Sequence, residues 1–291
     1  MQLLVTKRCV AILLHVALVS LALIAGSAVA GPAVKGEPTN DAERAAKKQA
    51  ADAAVDAKYA ALVATLPADE QAWEKVLQEN LGSFYLPLHK RDKLAGRSNA
   101  WDFVKDDPSL PRVLLIGDSV SRGYTLATRA ALAGKANVHR APANCGSTAS
   151  GLKNIEAWLG DGQWDVVHFN FGLHDRMTSM ADYTSRLDKL VERLKATRAA
   201  VVWASTTPLA AVADKPDTGK TAAAIIEKNT AAAGIMQKHG IGIDDLHTFI
   251  TPHLGDVQPP ADVHFTEAGY QLLGGQVAES ILAALNARGP R

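Results

Sequence analysis

Residues 112–124 read RVLLIGDSVSRGY, from Arg112 to Tyr124, and the reading of this stretch decides the fold. Val113, Leu114, Leu115 and Ile116 are all apolar, without the alternation of a half-wet strand, so the run predicts a strand covered on both faces, as in a parallel sheet. After Gly117, Asp118 and Ser119 the apolar period lengthens toward that of a helix. A serine at such a junction stands at a helix start, among N–H groups that lack intrahelical partners and at the positive end of the dipole. That position can stabilise an oxyanion beside the serine, but Ser119 or Asp118 can equally serve only as a helix cap.

Outward from this stretch, short apolar runs alternate with helical patterns. The runs lie at 113–116, around Val138, at 166–171, at 201–204 and, more weakly, at 241–243. Helical patterns cover 151–159, 182–197, 221–239 and 267–285, the second with Tyr183, Leu187, Leu190, Val191 and Leu194 on one face. The alternation predicts an α/β fold, a three-layer α/β/α sandwich around a parallel sheet of about five strands. Ligands bind such sheets at the carboxyl ends of the strands.

The chain opens with Lys7 and Arg8, an apolar run at 10–25 and small residues ending in Ala30. This predicts a signal peptide over 1–30, cleavage after Ala30, an exported protein and no membrane span in the mature chain, the apolar run being short for one. Cys9 would leave with the signal, so Cys145 stands alone and no internal disulfide forms. Residues 31–111 read as a tether followed by an N-terminal helical extension. Pro32, Gly36 and Pro38 mark the tether, and 41–66 form a solvated helix rich in alanine, lysine and aspartate. Pro67 restarts a helix that presents Trp73, Val76, Leu77 and Leu81 and stops at Gly82. Residues 84–111 read as mostly irregular, anchored by Trp101, Phe103 and Val104, and 112–291 form the principal domain.

The formal charge of +1 includes Lys7 and Arg8, so the balance stays near neutral without them and argues against nucleic-acid or anionic-membrane partners. Gly219, Lys220 and Thr221 imitate the end of a phosphate loop, but the glycine that should open it falls at Asp214. No G-x-S-x-G elbow occurs. Nine histidines show no paired zinc-ligand spacing, so neither metal nor other cofactor is expected.

Four features fall in order at predicted strand ends: Gly117-Asp118-Ser119; Asn144-Cys145-Gly146; Gly172-Leu173-His174-Asp175; and Asp262-Val263-His264 before the last helix. The order resembles the SGNH or GDSL-type hydrolase family, whose blocks are a GDS serine, a later glycine, a G-x-N-D segment and a D-x-x-H segment. The resemblance covers residues 112–285 and implies a flavodoxin-like sheet. It implies Ser119 as nucleophile, with its own N–H and that of Gly146 in the oxyanion hole. It implies His264 as the base that takes the serine proton.

Two departures stand out. His174 occupies the position of the family's asparagine; an imidazole N–H can donate in its place, with Asn170 and Asn144 as reserve donors. The aspartate precedes the histidine by two residues rather than three, with Ala261 in the usual position. Asp262 is expected to orient His264, a backbone carbonyl being the alternative. Cys145 reads as a small buried residue rather than a thiol nucleophile, and Asp118 and Asp175 as loop braces. The expected function is an exported serine esterase that removes a short acyl group, acetyl above all, from a carbohydrate or other small ester. A lipase, lysophospholipase or thioesterase, an O-acyltransferase and a non-catalytic carbohydrate-binding domain remain open.

Overall fold

The computed structural model describes residues 40–160 and 162–288; the expected signal peptide and the tether up to residue 39 lie outside the described residues. The chain divides after Ala46 into two units. Of the first, the described part is the opening of helix α1 (Asn40–Val63). The second runs from Lys47 to Arg291 and holds the sheet and every other element.

Strand β1 (Arg112–Ile116) lies between β2 (Asn137–Arg140) and β3 (Val166–Phe169), followed by β4 (Ala200–Ala204) and β5 (Gly242–Asp244), all parallel. Val113 pairs with Val138 on one side and Val166 on the other. The absence of alternation in β1 has a direct cause, because both of its faces are covered. Val113 and Leu115 pack into one apolar cluster with residues of α4 (Ser119–Ala131) and α10 (Glu267–Arg288). Leu114 and Ile116 pack into the other with residues of α5 (Thr148–Leu159), α6 (Met180–Lys195) and α7 (Pro216–His239). Each such side chain contributes roughly 1.5–3 kcal/mol on burial. Two short helices, α8 (Leu246–Ile250) and α9 (Leu254–Val257), lead from β5 toward α10.

The order β2-β1-β3-β4-β5 is that of flavodoxin-like sheets, in which the chain reverses direction across the sheet between β1 and β3. The carboxyl end of β1 therefore opens onto the switch-point crevice. β5 was the weakest strand in the sequence because it is a short edge strand, with Gly242 and Ile243 exposed.

The N-terminal extension corrects one expectation. Residues 84–94 are helical rather than irregular: after α2 (Ala68–Asn80) the chain forms α3 (Gly82–Leu94), and only from 95 to 111 does it run without helix or strand, as expected. Pro87 sits inside this helix, where its missing N–H removes a backbone bond and hides the pattern. Tertiary contacts hold α3 instead. Tyr85 meets Trp101 edge to face at 5.3 Å, and His89 Nε2 lies 2.8 Å from the buried carboxylate of Glu74 on α2. The Tyr59 hydroxyl of α1 donates to the same carboxylate, and Lys93 Nζ lies 2.6 Å from its other oxygen. Trp73 Nε1 donates to the Trp101 carbonyl at 2.7 Å, and Trp101 Nε1 donates to the Ala141 carbonyl just past β2. The extension is thereby pinned to the sheet.

Burial works against ionisation of Glu74, but the donors from His89, Lys93 and Tyr59 outweigh it and carry its carboxyl down to about 2. A carboxyl held below its unfolded pKa stabilises the fold above that value and loses the contribution as pH falls through the folded one. Glu74→Gln is therefore expected to melt well below the wild type at pH 6, and the gap should close as pH falls from about 4.5 toward 2. Thermal melts followed by circular dichroism across that range check it; a gap independent of pH would remove the charge from the explanation.

Candidate active site

β1 delivers the chain into a tight turn at Gly117 and Asp118. A Cβ on Gly117 would stand 2.6 Å from Ser121 Oγ, so only glycine fits there. Asp118 takes the N-cap of α4, its Oδ1 accepting from Val120 N at 2.9 Å. The cap role thus falls to Asp118 rather than Ser119. Ser119 becomes the first residue of the helix, 8% exposed, and its Oγ stands 2.8 Å from His264 Nε2.

His264 Nδ1 stands 2.7 Å from Asp262 Oδ1, and the same oxygen accepts from His264 N at 3.0 Å. With a proton on Nδ1 donated to the carboxylate, Nε2 is left as the acceptor for the serine hydroxyl. The shortened spacing between aspartate and histidine is accommodated one residue earlier. Ala261 has a φ of 59°, a left-handed conformation that costs a residue with a Cβ roughly 1–2 kcal/mol. This bend swings Asp262 into the place from which it meets the imidazole. The backbone N–H of His264 holds the Asp262 carboxyl below its usual range, against slight burial and with help from the imidazole itself.

Gly146 has a φ of 68°, open to glycine at no cost. The preceding Cys145 N donates to the Gly117 carbonyl at 3.1 Å, which ties this segment to the serine turn. Neither the Ser119 N–H nor the Gly146 N–H has an acceptor among the described residues. His174 is 40% exposed, with Nε2 3.8 Å from Asp118 Oδ2, and lines the same cleft as Ser119 and His264. Asn170 spends its amide on the Ala204 carbonyl at 2.8 Å and on Thr206 Oγ1 at 3.1 Å, so both of its N–H groups are engaged. Asn144 is half-buried, with Oδ1 unpartnered among the described residues.

Asp175 accepts from Thr148 N at 2.7 Å and Thr148 Oγ1 at 2.8 Å, bracing the start of α5. Burial pushes the Cys145 thiol up to about 12, so it is no thiolate at neutral pH. The cleft at Ser119 has a volume of about 350 Å³, and its walls include Arg176, Leu209 and Val263. Sequence reasoning gives none of the three a wall role, although Val263 stands within the Asp262-Val263-His264 block: they lie on loops that carry no periodic signal. A larger cleft of about 610 Å³ lies between α2 and the β2 edge and includes neither Ser119 nor His264. Among the described residues no three histidine, cysteine, aspartate or glutamate side chains gather as a metal cluster, and no helix is long and apolar enough to cross a membrane.

The chain superimposes on a lipase/acylhydrolase from Enterococcus faecalis with a TM-score of 0.51 and 21% identity, over 60% of this chain and 96% of that one. It also superimposes on a catalytic mutant of Axe2, an acetylxylan esterase from Geobacillus stearothermophilus, with a TM-score of 0.50 and 15% identity, over 60% and 94% of the two chains. At these identities the likeness is one of fold. No curated protein matches the chain at a significant level. The sequence profile of the GDSL-like lipase/acylhydrolase family matches residues 115–272, more than half of the chain and a span running from β1 through the Ser119 turn into α10, so the chain belongs to that family.

Proposed function

We propose that this protein is an exported serine esterase that releases a short acyl group, acetyl above all, from a carbohydrate through an acyl-serine intermediate. The observation that carries the reading is the unbroken line of contacts from Ser119 Oγ through the His264 imidazole to Asp262, at 2.8 Å and 2.7 Å, on the wall of an open cleft. His264 Nε2 takes the hydroxyl proton as Oγ attacks the ester carbonyl carbon. The carbonyl oxygen becomes negative and is met by the N–H groups of Ser119 and Gly146 and by an imidazole N–H of His174. The tetrahedral centre collapses, the sugar oxygen leaves with the proton from the imidazolium, and water repeats the sequence on the acyl-serine.

Three things support acetyl and carbohydrate. The cleft of about 350 Å³ suits a small acyl group more than a long chain. The N-terminal pattern of Lys7, Arg8 and a short apolar run sends the chain outward, where polysaccharides lie. One structural neighbour is described as an acetylxylan esterase.

The test is a series of p-nitrophenyl esters from acetate to octanoate, together with acetate release from acetylated xylo-oligosaccharides. Highest kcat/KM at acetate and release from the oligosaccharide are expected. A rate that climbs with chain length would hand the site to lipid substrates, and acetyl transfer to an added polyol in preference to water would make it a transferase. His174→Ala is expected to lower kcat by about 10²–10³ with little change in KM, the usual cost of one oxyanion donor, and His174→Asn to recover part of it. A histidine that only braces its loop would instead lower the melting temperature and leave kcat intact.

A further inference from the structure

Arg140, the last residue of β2, is 1% exposed and has no carboxylate within ion-pair distance among the described residues. A guanidinium buried without a counter-ion is expensive, so its donors have to be well used. Both terminal nitrogens are spent on the serine turn, while Nε has no partner among the described residues. Nη2 donates to the carbonyls of Gly117 and Asp118, both at 2.9 Å, and Nη1 donates to Ser121 Oγ. Ser121 Oγ passes its own hydrogen to the Asp118 carbonyl at 3.0 Å, and Arg122 N reaches that carbonyl at 3.0 Å. Three donors therefore converge on one oxygen. The ring of Trp101, 5.7 Å from the guanidinium, covers it from the N-terminal extension, outside the family-matched residues.

The consequence lies on the other side of the peptide. The Asp118–Ser119 peptide bond is trans, so the Asp118 carbonyl and the Ser119 N–H point in opposite directions along one rigid plane. Fixing the carbonyl against Arg140 aims the Ser119 N–H away from Arg140, and this N–H has no acceptor among the described residues. Electron density drawn toward the guanidinium makes the same N–H a stronger donor, as bonds in a chain polarise one another. We propose that Arg140 is a positioning residue for the oxyanion hole, aiming and polarising the Ser119 N–H through the Asp118 carbonyl, with Trp101 holding the guanidinium dry. This rests on the esterase reading above.

Hydrolysis of p-nitrophenyl acetate by the wild type, lost in Ser119→Ala, tests that reading separately. Arg140→Lys keeps the charge but cannot hold two carbonyls and Ser121 with one ammonium in the same geometry. Loosening a donor forfeits part of the 10²–10³ that a whole donor supplies, so Arg140→Lys is expected to lower kcat by about 10–100-fold with KM changed less than about twofold. A short alkyl boronic acid, whose tetrahedral adduct on Ser119 carries negative charge on oxygen, should lose affinity in parallel with kcat. The pH dependence, set by His264, should keep its shape. Ser121→Ala, which removes one of the three donors to Asp118, should show the same pattern at about three- to tenfold and decides the matter if Arg140→Lys does not fold. A folded variant with a lowered melting temperature, unchanged kcat and unchanged boronate affinity would overturn the inference and leave Arg140 a structural residue only.

Discussion

Ser119→Ala is expected to lower kcat for a short acyl ester by a factor on the order of 10⁶, leaving only what binding and the oxyanion donors supply. The same substitution should leave the thermal transition nearly where it was. The separation follows from which residue caps α4: Asp118 Oδ1 accepts from Val120 N, so the Ser119 hydroxyl satisfies no helix N–H and its loss orphans none. What the hydroxyl does touch is His264 Nε2, and that ring is 42% exposed, so water replaces the lost contact. Kinetics and melts on the same preparation check both halves. A phosphonofluoridate should label Ser119 and leave Cys145 untouched, since Cys145 is fully buried with its thiol pushed up to about 12. Activity surviving in the alanine variant, or label on Cys145, would sink the acyl-serine mechanism.

Some of this molecule was legible in its sequence because the physics there is local. β1 betrayed itself through four consecutive apolar residues, since a strand packed on both faces has no polar side to show. α6 showed a clean face in Tyr183, Leu187, Leu190, Val191 and Leu194, all fully buried. α3 stayed hidden because Pro87 lies inside it and because what holds it, Glu74 to His89 and Trp101 to Tyr85, joins residues far apart in the chain. The bend at Ala261 was equally invisible: nothing about an alanine announces a φ of 59°, and only the need to bring Asp262 to His264 across a shortened spacing explains it. Arg140 reads as one polar residue ending a short strand. That its guanidinium reaches back 22 residues to the Asp118 carbonyl is a fact of the β1–β2 pairing, which no periodicity encodes.

His264→Ala is expected to cost as much as the loss of the serine, on the order of 10⁶ in kcat, because nucleophile and base act as one unit. The more discriminating result is the pH profile. A base must be unprotonated to accept the serine proton, so kcat/KM for the wild type should rise with pH as the imidazole loses its charge and then level off. The rise should have the slope of a single titrating group. Asp262, which faces the imidazole, is held below the usual carboxylate range by the His264 N–H. In His264→Ala the residual activity should lack this limb. Asp262→Asn tests the partner: an amide can turn an N–H toward Nδ1 and select the wrong tautomer, which costs about 10⁴ in kcat where an aspartate orients the base. Asp256→Asn, on α9, is the control and should change little. Equal, small losses in the two asparagine variants would give the orienting role to a backbone carbonyl, and an acid limb that persists without His264 would mean that some other group takes the proton from Ser119.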